Sequence, residues 1–489
     1  MTRRLTQKES GAFYTPDSVA ECLLHWAIRS AADRLLDPSC GDGRFIRGHK
    51  NSVGIEQDPI AAKRAAEVAP AALVHEGDFF SWASNTLERF ECAAGNPPFI
   101  RYQTFVGSIR ERALAICSHV GAHFSGLASS WAPFLVAATT LLRTGGRIAF
   151  VVPAEIGHAP YATPLLEYLA SHFAVIHIVA IRSKLFPKLS EDCWLLYADG
   201  YGSSTTELRF SALPCFRRMT SPPASFITIP LVEWRTSWKR RLRPFVISSE
   251  ARSIYREMVT RPQTRLLGNL AAVGIGYVSG ANDFFHLRPS QVRSLDIPKR
   301  LLHPTVRNAR ALPTQRLTAS TVAKWQRDDE QVMLLRIPKQ ARVPVSVERY
   351  LDSDVGHAAR SAYKCRVRDP WYSVPDVQVP DFFLSYMSGR EASLVRNDAA
   401  CTCTNSVHAV RLREGVQHAA LTSSWVSSFT SLSCEIEGHP LGGGMLKLEP
   451  REAAQIALTA PDALDKRNST AVIDAISTLR EWRHYASSN

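Results

Sequence analysis

The sequence of 489 residues contains no apolar stretch of the length, about 18 residues or more, that a membrane-spanning helix needs. The basic residues near the N-terminus are not followed by an apolar run, which argues against a secretory signal. No repeat of fixed period is visible, so a solenoid or propeller is not expected. These absences predict a cytoplasmic globular protein, and the length predicts at least two domains.

Cysteine is too sparse for a disulfide scaffold, with 10 residues in the whole chain. Most lie in apolar runs, where a reduced and buried thiol is the ordinary expectation. Cys401, Cys403, His408 and Cys434 could be considered as zinc ligands. Structural zinc sites usually take their ligands from two close pairs, and only Cys401 and Cys403 form such a pair. The sequence therefore predicts no metal.

Acidic residues are fewer than basic ones, 45 against 58, which gives a net charge of +13. This excess favours a polyanionic partner, because Lys and Arg attract phosphates and release their counterions. Charge alone does not distinguish DNA from RNA or an acidic membrane, and a basic segment can also be a solvated surface. The candidate phosphate contacts are Arg235, Lys239, Arg240, Arg241, Arg243, Lys364, Arg366 and Arg368.

Strand and helix signals alternate in the first half of the chain. Apolar residues at helical spacing predict helices over 18–32 and 131–142. Short apolar runs predict strands over 34–37, 53–56, 71–75, 90–94, 147–152, 173–181 and 194–197. Such alternation is typical of a doubly wound, mostly parallel α/β sheet, which binds ligands at the carboxyl ends of its strands.

The alternation stops near Ser221-Pro222-Pro223. The remainder has short β-like runs, many prolines and arginines, and a final helix near 470–485. We therefore predict two domains, 1–232 and 233–489, the second of the α+β class.

A turn with two glycines follows the first predicted strand, within Asp37–Phe45. Gly41 and Gly43 have no side chain, so the backbone amides can come close to a ligand. The Lys-Ser/Thr ending of a phosphate-binding loop is absent. Asp37 is better suited to the ammonium group of a methionine than to a phosphate.

Two further acids end the next two predicted strands. Glu56 can accept hydrogen bonds from both hydroxyls of a ribose. Asp78 can accept one from an adenine amino group, and Phe79 offers a face for the adenine ring. A single acid at a strand end is more often solvated or a helix cap. Three at successive strand ends predict a pocket for an adenosyl cofactor.

Asn96-Pro97-Pro98-Phe99 follows the fourth predicted strand. An exocyclic aromatic amine is a poor nucleophile, because its lone pair is delocalised into the ring. An Asn oxygen and a backbone carbonyl, fixed by consecutive prolines, can each accept an N–H and localise that lone pair. Phe99 would stack on a base that has been flipped out of the duplex. The alternative is an ordinary turn, since Asn-Pro is a turn dipeptide.

The order of these motifs resembles the gamma class of amino-N6-adenine DNA methyltransferases, the TaqI-type modification enzymes of restriction–modification systems. The class also has a leading motif, here Gly11–Pro16, and a late motif, here Ser183–Lys188. Segments 278–285, 369–372 and 442–450 are similar to segments in recognition domains of related enzymes.

The resemblance implies a class I methyltransferase fold, with a seven-stranded, mostly parallel sheet and a C-terminal α+β target recognition domain. It implies S-adenosylmethionine as cofactor, duplex DNA as partner, a monomer on DNA, and a separate cognate endonuclease as a further partner. The implied catalytic residues are Asn96, Pro97, Pro98, Phe99 and Phe186, with Phe186 on the other face of the flipped adenine. The implied cofactor contacts are Phe13, Tyr14, Thr15, Pro16, Asp37, Pro38, Ser39, Cys40, Gly41, Gly43, Phe45, Glu56, Gln57, Asp78, Phe79, Asn96 and Pro97.

Two other classes stay open. One is a methyltransferase for another amine, in a protein glutamine or an RNA base; such enzymes generally lack a large basic C-terminal half and the leading motif. The other is a DNA-binding protein whose methyltransferase fold has decayed, against which the intact Asp37, Glu56, Asp78 and Asn96 argue. The second half shows no paired acids with a lysine, so no nuclease is predicted.

Overall fold

A computed structural model gives the structure of the chain and describes residues 15–187 and 191–485. The chain divides into two compact units, one ending at Val246 and the other beginning at Ile247. The boundary predicted near residue 232 falls shortly before this division. Among the described residues, no helix is long and apolar enough to cross a membrane.

The first unit is built on one sheet of nine strands, in the order β3-β2-β1-β4-β5-β7-β6-β8-β9. Five of its eight neighbouring pairs are parallel. Strand β7 is antiparallel to both of its neighbours, and β9 is antiparallel to β8. The strands are β1 (Leu35–Asp37), β2 (Ser52–Glu56), β3 (Leu73–Glu76), β4 (Phe90–Gly95), β5 (Leu142–Pro153), β6 (Phe173–Ile181), β7 (Cys193–Tyr201), β8 (Glu207–Leu213) and β9 (Ile227–Pro230).

In the part of the chain that the structure describes, the sheet therefore has nine strands where the sequence predicted seven. The two additional strands, β8 and β9, extend the sheet beyond β6. No helix lies between β7 and β8 among the elements described, so the strand–helix alternation that marks the earlier strands is missing there.

Helices connect most of the strands, and both faces of the sheet are covered. Every residue from Ile148 to Val152 in β5 is buried, although successive side chains of a strand point to opposite faces. Burial on both faces is typical of α/β sheets. The helices are α1 (Asp17–Ala27), α2 (Pro59–Val68), α3 (Phe79–Asn85), α4 (Gly107–His119), α5 (Trp131–Thr139), α6 (Thr163–His172) and α7 (Leu231–Thr236), with 3-10 turns at Ala154–Gly157, Pro160–Ala162 and Arg243–Val246.

Helix α1 packs on one of these faces. Its buried residues Val19 and Leu23 belong to a hydrophobic cluster with Leu35 of β1 and Ala149 of β5. Fully burying one such aliphatic side chain contributes about 1.5–3 kcal/mol. This packing fixes α1 beside the central strands, whose carboxyl ends carry the predicted site.

The second unit combines helices with four small sheets of mostly antiparallel strands, as expected for an α+β arrangement. The sheets have the orders β11-β20-β16-β18-β14, β12-β15-β13-β19, β17-β22-β21 and β10-β23. The strands are β10 (Arg265–Leu266), β11 (Ala271–Ile275), β12 (His286–Leu287), β13 (Leu302–Val306), β14 (Arg316–Leu317), β15 (Met333–Leu335), β16 (Phe382–Ser385), β17 (Met387–Ser388), β18 (Leu394–Asn397), β19 (Thr402–Cys403), β20 (Val407–Leu412), β21 (His439–Leu441), β22 (Met445–Lys447) and β23 (Ala457–Leu458).

The final helix of this unit runs over Lys466–Trp482, where the sequence predicts a helix near 470–485. It is followed by Arg483, whose buried guanidinium pairs with the buried carboxylate of Glu435 at 2.8 Å. The helices are α8 (Ser249–Thr260), α9 (Leu267–Leu270), α10 (Asn282–Phe285), α11 (Pro289–Ser294), α12 (Ala319–Arg327), α13 (Val345–Leu351), α14 (Asp354–Ser361), α15 (Tyr363–Arg366), α16 (His418–Trp425), α17 (Ser428–Glu437), α18 (Pro450–Ala453) and α19 (Lys466–Trp482), with 3-10 turns at Lys299–Leu301, Ala309–Ala311 and Gly442–Gly444.

Candidate active site

The predicted site residues follow four strands that lie side by side in the sheet. Strands β3, β2, β1 and β4 are adjacent and mutually parallel, so their carboxyl ends meet at one edge. Asp37 and Glu56 are the last residues of β1 and β2, and Asn96 directly follows β4. The sheet thus brings together residues that are far apart in the sequence, at the edge where such folds bind ligands.

The glycine turn after β1 is folded back onto β2. The amide of Cys40 donates to the carbonyl of Ile55 at 2.9 Å. Gly41 and Gly43 have φ values of 54° and 81°, in the left-handed region that favours glycine. A Cβ on Gly43 would also lie 3.0 Å from the Cα of Ala65. Both glycines are therefore required by the backbone of this turn.

Glu56 connects the glycine turn to the end of β2. Its Oε2 accepts the amide of Gly41 at 2.9 Å, and its Oε1 accepts the amide of Asp58 at 2.8 Å. Each carboxylate oxygen has two lone pairs, so both retain capacity for a ligand hydroxyl. The half-buried Glu56 is thereby fixed in one orientation at the strand end.

Asp37 is fully buried, and only one of its oxygens is hydrogen-bonded within the described part of the chain. Its Oδ1 accepts the amide of Ser39 at 3.1 Å, whereas Oδ2 has no partner there. Burial, with smaller contributions from the charges of Glu56 and Asp42, raises the pKa of Asp37 to about 8. A buried acceptor without a partner is costly in free energy, so this oxygen is suited to a ligand donor.

Gly95 makes room for Asp37, a role that the sequence did not indicate. A Cβ at position 95 would lie 2.7 Å from Oδ1 of Asp37. Any larger residue at the end of β4 would therefore displace this carboxyl group. The only sequence signal is a glycine directly before Asn96.

Asp78 and Phe79 lie at the predicted strand end but have structural partners. Oδ2 of Asp78 accepts both the amide of Ser81, at 2.8 Å, and its hydroxyl, at 2.6 Å, and so caps α3. Phe79 is only 2% exposed, and its ring stacks on Phe134 with the centroids 5.2 Å apart. The ring thus packs in the core in this state, and its contact with adenine stays a prediction.

The Asn96-Pro97-Pro98-Phe99 loop is held by two serines. The hydroxyl of Ser39 donates to the carbonyl of Asn96 at 3.1 Å. The hydroxyl of Ser130 donates to the carbonyl of Pro98, and it accepts the amide of Ile100 at 3.0 Å. The sequence indicates Ser39 only as a cofactor contact and contains no signal for the role of Ser130.

Phe99 and Phe186 belong to one part of the fold. Phe99 is half-buried and packs against a hydrophobic cluster that contains Phe186 and Leu185. Phe186 is 7% exposed. Its stacking on a base stays a prediction, since the ring is mostly covered in this state.

The remaining predicted cofactor contacts are divided between core, surface and undescribed segments. Phe13, Tyr14 and also Lys188 of the late motif lie outside the described residues. Arg44 donates to the carbonyl of Thr15, which joins the leading motif to the glycine turn. The buried members are Thr15, Pro38, Cys40 and Phe45; Pro16 and Ser39 are half-buried, and Gln57 is exposed.

Part of the basic segment 235–243 of the first unit lines a cleft of about 470 Å³. Lys239, Arg240 and Arg241 lie on its wall together with Glu167. Glu167 pairs with Arg235 at 2.6 Å and with Arg240 at 3.4 Å. These pairs neutralise part of the positive charge of the segment. The local sequence contains no acid and therefore does not indicate this neutralisation.

Two of the predicted phosphate contacts are covered or hydrogen-bonded within the protein, and their contact with phosphate stays a prediction. Arg243 is only 5% exposed, within a 3-10 turn. Arg368 in the second unit is half-buried and donates to the carbonyls of Ser279, at 2.6 Å, and Val278. Lys364 and Arg366 are exposed on α15.

The residues considered as zinc ligands are buried in the second unit. His408 donates from Nε2 to the carbonyl of Leu448 at 2.6 Å. Burial raises the pKa of the Cys401 and Cys403 thiols to about 12, so both are neutral. In the ranges 15–187 and 191–485, no three His, Cys, Asp or Glu side chains are grouped to hold a metal.

Comparison with known proteins identifies relatives along nearly the whole chain. The chain is 23% identical over 482 residues to the Type II methyltransferase M.XamI of Xanthomonas campestris pv. amaranthicola, covering 93% of this chain and 86% of that protein. It is 19% identical over 492 residues to the Type II methyltransferase M.AccI of Acinetobacter calcoaceticus, covering 96% and 88%.

The fold is shared with a solved restriction–modification enzyme. The Type IIL enzyme MmeI, solved in complex with DNA, aligns with a TM-score of 0.53 at 11% identity, over 97% of this chain and 73% of that chain. Residues 239–486, half of the chain, match the family described as Type II methyltransferase M.Eco57I, C-terminal domain. The protein therefore belongs to the Type II DNA methyltransferase family.

Proposed function

We propose that this protein transfers the methyl group of S-adenosylmethionine to N6 of an adenine flipped out of duplex DNA. The observation that carries the proposal is the adjacency of two features at one sheet edge. The Asn96-Pro97-Pro98-Phe99 loop follows β4, and the buried Asp37, with one oxygen lacking a partner among the described residues, ends the neighbouring strand β1. The family membership supports a DNA substrate.

The residues at the sheet edge fit the methyl donor. Asp37 has an oxygen available for the ammonium group of the methionine part, and Glu56 has lone pairs available for the ribose hydroxyls. The backbone of Gly41 and Gly43 allows close approach. When bound, S-adenosylmethionine supplies an electrophilic methyl carbon on a sulfonium.

The catalytic loop acts on the amine of the target base. Oδ1 of Asn96 and the carbonyl of Pro97 would each accept one N–H of the adenine amine, which localises the lone pair on N6. Pro97 and Pro98 have no N–H and a fixed φ, so the acceptors need little rearrangement during the reaction. As N6 bonds to the methyl carbon, the carbon–sulfur bond would break to leave a neutral thioether. The amine is then cationic and loses one proton to solvent, so no strong base is needed beforehand.

The second unit is the proposed target recognition domain, and the catalytic domain is proposed to end close to residue 232, before the second unit begins at Ile247. The solved neighbour MmeI was captured with DNA, which supports duplex DNA as the partner. By its family, we propose a role in protecting host DNA in a restriction–modification system, beside a separate endonuclease. The more accessible of the proposed phosphate contacts are Arg235, Lys239, Arg240 and Arg241 in the first unit and, considered separately, Lys364 and Arg366 in the second.

Removal of the Phe99 ring should weaken capture of the flipped base. Stacking of one base on an aromatic ring contributes about 1–3 kcal/mol, so Phe99→Ala should reduce the population of the flipped state about 10-fold. The measurement is the fluorescence rise of 2-aminopurine placed at the target adenine. Phe226→Ala is the control, because Phe226 is 38% exposed and packs near His177, outside the site. An undiminished rise for Phe99→Ala would contradict the stacking role.

Charge reversal in the cleft should weaken DNA binding for every sequence. Each lost phosphate contact lowers the slope of log affinity against log salt by about 0.9. The double variant Lys239→Glu/Arg241→Glu should therefore flatten that slope by about 2, as measured by titration of fluorescent duplexes. The double variant Lys63→Glu/Arg64→Glu, on exposed positions of α2, alters the net charge equally and should keep the slope. A loss confined to one DNA sequence would contradict phosphate contact.

Sequencing of DNA from a host that expresses this chain tests the proposed function. Detection of modified bases should show N6-methyladenine within one short sequence motif, and a host that expresses Asn96→Ala should lack the modification. The proposal would be refuted if DNA from the host that expresses the wild-type protein contained no new modified base. The motif found would also supply the duplex for the binding measurements above.

A further inference from the structure

Ser39 joins the two halves of the proposed active site. Its amide donates to Oδ1 of Asp37 at 3.1 Å, and its hydroxyl donates to the carbonyl of Asn96 at 3.1 Å. One residue thus contacts both the acid proposed for the methyl donor and the loop proposed for the amine. The side chain is half-buried, and its hydroxyl is directed to the protein backbone.

Ser130 holds the other end of the same loop. Its hydroxyl donates to the carbonyl of Pro98 and accepts the amide of Ile100 at 3.0 Å. Its own amide donates to the carbonyl of Ile100 at 3.0 Å. The side chain is fully buried, so these bonds are shielded from water.

Ser130 stands at a helix N-cap, but its hydroxyl does not cap the helix. Ser130 directly precedes α5, where a serine ordinarily accepts a hydrogen bond from an amide of its own helix. Here it makes no such bond, and its backbone is helical, with φ −60° and ψ −34°. The hydroxyl contacts the Pro98–Ile100 segment instead.

The chemistry of the loop explains why side chains are needed there. Pro97 and Pro98 have no N–H, so this stretch can be held through its main chain only at its carbonyl oxygens. The two serines bind the carbonyls of residues 96 and 98. The carbonyl of Pro97 lies between them and accepts no hydrogen bond from the described residues.

We propose that Ser39 and Ser130 form a two-serine clamp of positioning residues, which orients the carbonyl of Pro97 and the side chain of Asn96 toward the target amine. This inference rests on the proposed function. Neither serine touches the reacting atoms; each acts through the loop backbone. Because a small misplacement of reacting groups lowers a rate strongly, loss of either bond should slow methyl transfer without weakening substrate binding.

The test compares single-turnover methyl transfer with binding of donor and DNA in four variants of the full chain. Ser39→Ala and Ser130→Ala should each lower the single-turnover rate about 10-fold, the effect of losing roughly one hydrogen bond in the transition state. The dissociation constants of S-adenosylmethionine and of duplex DNA should stay within about twofold of the wild-type values. Ser39→Thr retains a hydroxyl and should recover most of the rate.

Ser129→Ala is the matched control, because Ser129 is a neighbouring buried serine whose hydroxyl contacts Tyr161 and not the loop. It should react at the wild-type rate. If Ser130→Ala does not fold, as its melting temperature will show, Ser39→Ala alone decides the matter. Wild-type rates in both alanine variants, or a weakened donor affinity with an unchanged rate, would overturn the clamp. A wild-type protein that transfers no methyl group to DNA would instead refute the proposed function, and the clamp with it.

Discussion

Asn96→Ala should bind S-adenosylmethionine and DNA as the wild-type protein does, yet lose about 10²- to 10³-fold in the rate of methyl transfer. The side-chain oxygen of Asn96 is one of two acceptors proposed to localise the lone pair of the adenine amine. Removing a preorganised partner of the developing charge acts on the transition state far more than on the bound substrates. The measurement is single-turnover transfer of a labelled methyl group at saturating donor and DNA.

Asn85→Ala is a suitable control for this effect. Asn85 is exposed at the end of α3, and its side-chain amide donates to the carbonyl of Ser81. This variant should keep the full rate. Full activity of Asn96→Ala would remove the catalytic assignment, and loss of donor binding in the same variant would show that Asn96 acts on the donor instead.

Asp37→Ala should raise the dissociation constant of S-adenosylmethionine about 10- to 100-fold and leave DNA affinity nearly unchanged. A hydrogen bond to a charged group contributes about 1.5–3 kcal/mol, which corresponds to this range of affinity. The variant also removes a buried carboxyl group with an oxygen that lacks a partner in the described chain. Isothermal titration with the donor, and separately with a duplex, measures both constants.

The raised pKa of Asp37 also predicts the direction in which donor affinity changes with pH. Burial raises the pKa of Asp37 to about 8, so the donor-free protein carries this carboxyl protonated at neutral pH. An ammonium ligand favours the ionised form, so binding releases a proton wherever the pH is below about 8. The affinity should therefore rise by up to about tenfold per pH unit from pH 6 toward pH 8, where loss of the donor's own ammonium proton ends the rise.

Asp37→Asn is the matched variant for the pH measurement. It keeps the shape of the side chain but cannot ionise, so the rise in affinity with pH should disappear. Proton release can be measured directly by titration in buffers of different ionisation enthalpy. An affinity that is equally dependent on pH in both proteins would assign the titration to another group.

The sequence predicts the parts of the first unit in which the local pattern of apolar residues matches their burial in the fold. The strand Phe173–Ile181 is apolar except for His177, and its predicted and observed bounds coincide. The glycine turn and the Asn-Pro-Pro loop were found because their residues have unusual backbone requirements. Strands β8 and β9 were not predicted, because β8 alternates polar with apolar residues and β9 is only four residues long, so neither forms a continuous apolar run.

Side-chain partners that are distant in sequence were not predictable. Ser130 precedes a helix and would have been assigned as its cap, whereas its hydroxyl bonds to Pro98 and Ile100. Gly95 matters only because Asp37 lies against it. Arg243 stands in a run of cations, but charge in the sequence gives no information on burial, and the residue is 5% exposed.

The same limit applies to the second unit. Its strands are short, many of only two to four residues, and they pair across long stretches of chain, as Arg265 with Leu458. Such pairings depend on tertiary contacts that leave little periodicity in the sequence. The family match over 239–486 therefore adds information that the local pattern does not contain.

Identification of the methylated nucleoside tests the central claim most directly. The purified protein is incubated with S-adenosylmethionine carrying an isotopically labelled methyl group and with a mixed pool of unmethylated duplex DNA, which is then digested to nucleosides. Mass spectrometry should find the label in N6-methyl-2′-deoxyadenosine and find none when Asn96→Ala replaces the wild-type protein. Label on a cytosine, or label only in RNA or protein supplied in parallel, would contradict the proposed action on adenine in DNA.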